Sequence, residues 1–110
     1  MSKIIDSLLL THIIKDFQNG NTKQAFIRMK DYIKTFPKDY TAKYNYAIMA
    51  DRMGDKELAI KNYNFVMKAD SNHWQSRNNM YLFFFENKRY TEALKLINEV
   101  LIIKPNYQPV

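Results

Sequence analysis

Two histidines, His12 and His73, and the serines Ser7, Ser71 and Ser76 are where a search for chemistry begins. A zinc site needs imidazoles, thiolates or carboxylates at ligand spacing. The two histidines stand far apart, neither has a carboxylate at that spacing, and the chain has no cysteine. Both histidines therefore read as structural or surface residues. A serine nucleophile needs a base, an orienting acid and oxyanion donors, and none of these serines has a histidine and an acid at matching positions. A phosphate-cradling loop needs several glycines, and only Gly20 and Gly54 exist. The sequence reads as a non-enzyme that carries no cofactor and no metal. The side chains that remain interesting are amides, Asn45, Asn78 and Asn79. An amide both donates and accepts, so such residues can grip a peptide backbone.

The elements that position these residues follow from a period. Shifting the stretch DYTAKYNYAIMADRMGDKELAIKNYNFVMKADSNH by 34 residues either way matches the rest of the chain. Gly20, Gly54 and Lys88 coincide, as do Ala25, Ala59 and Ala93, and Pro37, Ser71 and Pro105. The 110 residues allow one domain, with repeats at about 6–39, 40–73 and 74–107. A fixed period of this length marks a stacked helical repeat.

Each repeat reads as two helices. In the first, Leu8, Leu9, Ile13, Ile14 and Phe17 recur three and four apart and cover more than one face. Asn19-Gly20-Asn21 ends that helix, Thr22 is expected to cap the next, and Pro37 closes it. In the second repeat Asp39 or Thr41 caps a helix striped by Tyr44, Ala47, Ile48 and Ala50. Gly54 ends it, and Asp55 opens the partner helix. In the third, MYLFFF alone could pass for a strand. The repeat register makes it helical, since its counterparts at Ile13 and Ala47 lie in helical patterns. Asn87-Lys88 turns the chain there without glycine.

The period and its register resemble the tetratricopeptide repeat. The resemblance implies an all-α fold, a right-handed superhelical α-solenoid of three antiparallel helix pairs. In that family, small residues at the places of Ala25, Ala59 and Ala93 let the helices of a pair approach closely. Ala47 is the facing small position, and Pro37 and Pro105 match the closing proline. Ile13 and Tyr81 replace the small residue of Ala47, Lys43 and Arg77 stand where tryptophan is common, and Ser71 replaces a proline.

The resemblance also implies a site. First helices of successive repeats line a concave groove that holds peptides. Carried over by position, the groove would present Leu10, Ile14 and Phe17 from repeat one. It would present Tyr44, Asn45, Ile48, Asp51 and Arg52 from repeat two. From repeat three come Gln75, Asn78, Asn79, Leu82, Phe85 and Glu86. Within the aromatic run, Tyr81 and Phe84 are expected in the core, and Leu82 and Phe85 in the groove. One subgroup clamps a C-terminal carboxylate with two lysines, an arginine and two asparagines. Only Asn45 matches; Leu10, Ile14, Gln75 and Asn79 occupy the other places, so a carboxylate clamp is rejected.

The expected function is a protein-binding module, an adaptor or small chaperone holding an apolar peptide or helix. Two alternatives compete. The chain could be the repeat portion of a larger protein or assembly. Otherwise the net charge of +6 could serve an acidic partner or nucleic acid through second-helix cations such as Lys23, Lys30, Lys61 and Lys95. Nucleic-acid binding is disfavoured because no aromatic platform lies beside those charges. No apolar stretch is long enough to span a bilayer. The interrupted N-terminal apolar run and the lack of cysteine suggest a cytoplasmic protein. Leu94, Ile97, Leu101 and Ile102 cannot all face inward from one helix, and Ile5, Leu9 and Ile13 raise the same question at the start. Self-association of an uncovered terminal face as a two-fold homodimer is expected, or else a fold-back of the tail from Tyr107 over the last helix.

Overall fold

The computed structural model describes residues 3–109. Among these it contains six helices and no strand: α1 Lys3–Gln18, α2 Thr22–Thr35, α3 Tyr40–Arg52, α4 Lys56–Ala69, α5 Trp74–Glu86 and α6 Tyr90–Ile103. The MYLFFF run is helical, as the register requires.

The period is written into the backbone. Gly20, Gly54 and Lys88 all have positive φ, at 99°, 91° and 60°. Each closes a first helix with the same pair of hydrogen bonds. Gly20 N donates to Phe17 O and Asn21 N to Asp16 O. Gly54 and Asp55 repeat this onto Asp51 and Ala50, and Lys88 and Arg89 onto Phe85 and Phe84. This is the glycine-type C-terminal closure, in which a left-handed residue lets two amides satisfy the last carbonyls.

The helix starts use different chemistry. Asp39 caps α3 by accepting from Ala42 N at 3.0 Å, and Asp55 caps α4 by accepting from Leu58 N at 3.1 Å. Asn21, not Thr22, occupies the cap position of α2, and no side chain bonds there. Thr22 is already helical, so its hydroxyl is one residue too late to serve the orphan amides.

The chain divides into two compact units, one up to Asn62 and one from Tyr63 onward, with the division inside α4. In the first unit α1 packs on α2, α2 on α3, and α1 touches α3. Its core holds Leu10, Ile13, Phe17, Ala25, Met29, Tyr32, Ala42, Tyr46 and Met49. Ala25 is fully buried, as expected where two helices meet closely. In the second unit α5 packs on α6, with Met80, Phe84, Ala93, Leu96, Ile97 and Val100 buried.

Candidate functional site

In the first unit, Ile14 on α1 and Ile48 on α3 share one repeat position and are both half-buried. Tyr44 and Asn45 lie one turn before Ile48, also half-buried, and Arg52 follows it, exposed in the last turn of α3. A cation there complements the helix C-terminus. The Asn45 amide donates to Thr41 O at 2.9 Å, so one of its two N–H groups is engaged within α3. Asp51 forms an ion pair with Lys56. Leu10 and Phe17 are buried members of the core cluster and present almost no surface.

In the second unit α5 carries Gln75, Asn78, Asn79 and Leu82, all half-buried, then Phe85 at 51% exposure. Leu82 stands at the repeat position of Ile14 and Ile48. The Tyr107 hydroxyl donates to Asn78 Oδ1 at 2.8 Å, and its ring lies 5.2 Å from that of Trp74. Lys104 Nζ sits 4.3 Å above the same indole, a favourable cation–π geometry. The segment after α6 therefore docks on α5, beside the residues proposed to meet a ligand. It does not cover Leu94 or Ile102, which remain 61% and 80% exposed. A tail without periodicity offers no sequence signal for such docking.

The structure also makes a pairing that sequence spacing did not reveal. His73 Nδ1 lies 2.9 Å from Ser76 Oγ and accepts from Ser76 N at 3.2 Å. A serine against an imidazole can mean nucleophilic chemistry. Here Ser76 is wholly buried, and the ring serves as the N-cap of α5. A concavity of about 650 Å³ lies elsewhere in the first unit, between the start of α1 and the α2–α3 connection. Of the groove positions only Leu10 lines it. Its wall includes Asp6, whose Oδ1 is buried without a hydrogen-bond partner.

Several cations of the second helices and of the turns before them are already engaged. Arg28 pairs with Asp16 at 2.6 Å, and Lys56 and Arg89 pair with Asp51 and Glu92. Among the described residues no helix is long and apolar enough to cross a membrane.

No protein-family model matches the sequence, and no curated protein matches it. Solved structures do. The first tetratricopeptide repeat domain of Spaghetti (RPAP3), solved with the HSP90 peptide SRMEEVD, is similar over 97% of this chain and 85% of that one. Its identity is 18% and its TM-score 0.83. MamA is similar over 82% of this chain with 18% identity and a TM-score of 0.76. Pseudomonas aeruginosa PilF is similar over 87%, with 25% identity and a TM-score of 0.74. This chain covers 53% of the MamA chain and 43% of the PilF chain. These are tetratricopeptide-repeat proteins, and the six helices fit three such repeats.

Proposed function

We propose that this tetratricopeptide-repeat fold is a protein-interaction module, an adaptor or small chaperone that holds an apolar peptide or helix through residues of its first helices. The observation that carries the reading is the shared repeat position of Ile14, Ile48 and Leu82. It is apolar in every repeat and half-buried in every repeat. Burying one such side chain fully is worth roughly 1.5–3 kcal/mol, offset by the cost of ordering the ligand. Tyr44, Asn45 and Arg52, with Gln75, Asn78 and Asn79, supply polar groups around the apolar positions. One N–H of the Asn45 amide is held by Thr41, which leaves its carbonyl oxygen to accept and its second N–H to donate.

The ligand differs from the peptide held by the RPAP3 domain. An acidic C-terminus needs cations, and Leu10, Ile14, Gln75 and Asn79 provide none. Affinity capture from cell lysate with Ile48→Glu and Leu82→Glu tests the proposal. Both variants should lose the wild-type partner while keeping helicity, and SRMEEVD should not bind. Lys61→Glu with Lys95→Glu should leave capture intact. Loss with the lysine pair alone would replace the apolar-peptide reading with that of an acidic partner.

A further inference from the structure

A pocket of about 320 Å³ opens between α5 and α6, lined by Tyr81, Phe85, Tyr90, Ala93, Leu94 and Ile97. Two repeat periods earlier the same positions are Ile13, Phe17, Thr22, Ala25, Phe26 and Met29. In the first unit that seat is filled. Helix α3 lies on it, with Ala42, Tyr46 and Met49 in the shared core. The Tyr46 ring stacks on Phe26 at 5.0 Å. In the third repeat the seat is open, and Tyr90 and Leu94 are 56% and 61% exposed.

The side chains that fill the seat sit at one face of a first helix. On α5 their counterparts Ser76 and Met80 are buried. On α1 the counterparts are Leu8, His12 and Lys15, all exposed, with Leu8 at 56% and Ile4 nearby at 74%. One helix thus exposes the face that α3 buries, and another pair exposes the seat that α3 fills.

We propose that α1 of a second copy docks in the α5–α6 seat and continues the α2–α3 interface from one molecule to the next. Leu8 takes the place of Ala42, and the His12 ring takes the place of Tyr46. The Lys15 stem lies where Met49 does, its ammonium reaching solvent as long cationic side chains do. The contact is head-to-tail. The two surfaces differ, so each molecule keeps one unused face and association need not stop at a dimer.

Sedimentation equilibrium across a concentration series tests this. The wild-type mass should rise past that of a dimer. Leu8→Glu and Leu94→Glu should each weaken association at least ten-fold without changing far-ultraviolet dichroism, because both side chains are exposed. Leu8→Gln and Leu94→Gln should show the same pattern. An equimolar mixture of the two glutamate variants should form a heterodimer and stop there, since one retains the seat and the other retains the α1 face. A wild type that stays monomeric at every concentration overturns the proposal. So does a Leu8→Glu variant that still dimerises while the mixture forms no heterodimer, the pattern of a two-fold α6 contact.

Discussion

The Tyr32 hydroxyl, at the end of α2, donates to Oδ2 of Asp39 at 2.7 Å. The other oxygen of Asp39 caps α3 through Ala42 N. One carboxylate thus ties the last turn of one helix to the first turn of the next. Tyr32→Phe should cost about 1.5 kcal/mol, the low end of the net worth of a hydrogen bond to a charged group. Asp39→Ala removes the cap as well and should cost about 2 kcal/mol or more. Asp39→Asn keeps a capping oxygen and should fall between them. Urea denaturation of the three variants measures the order.

The same contact makes the protein sensitive to alkali. Burial, then the hydrogen bond to Asp39 and the charges of Asp39 and Asp6, push the Tyr32 hydroxyl up to about 12. An unfolded tyrosine ionises near 10. Above that pH the unfolded chain gives up a proton that the folded chain retains, so stability is full below about pH 10 and falls as pH approaches 12. Tyr46 moves the same way, through burial and then Asp55. Thermal melts from pH 9 to pH 12 should show a shallower decline for Tyr32→Phe than for wild type.

His73 sets the acid side. Burial, opposed by Asp70, holds its imidazole below the usual value. Its Nδ1 must be unprotonated to accept from Ser76 N. Its contribution is therefore present above about pH 6.5 and is lost as pH falls through the depressed folded value. His73→Asn keeps a capping acceptor and should flatten the decline between about pH 7 and pH 5, as followed by melting temperature.

Lys88 holds a left-handed backbone that Gly20 and Gly54 adopt without a side-chain penalty. For an L-residue with a side chain that conformation costs roughly 1–2 kcal/mol. Lys88→Gly should raise stability by up to about 1 kcal/mol, part of the relief being offset by the freer unfolded chain. Gly54→Ala should do the reverse. A Cβ there meets nothing within 4 Å, so any loss seen in denaturation curves belongs to the backbone alone.

The six helices and their closures were legible because a period repeats its errors as well as its rules. Lys88 is a poor residue for its turn, yet Gly20 and Gly54 identify the turn for it. The site was legible only in part. Helix α1 is apolar on more than one face, so register alone could not separate core Leu10 and Phe17 from half-buried Ile14. The cap from His73 was hidden because a histidine is an uncommon N-cap, and its three-residue spacing to Ser76 means nothing until a helix starts between them. The docking of Tyr107 lies in a tail whose sequence carries no pattern at all.

Trp74 is the one tryptophan in the chain, and Lys104 and Tyr107 both rest on its ring. The protein therefore carries its own optical reporter, placed where the segment after α6 meets α5. Excited at the indole, the chain emits from the second unit only. A melt followed by fluorescence watches that unit and its docked segment, while dichroism watches all six helices. Coincident curves would mean that the whole chain melts as one body, and an early red shift that the tail lets go first.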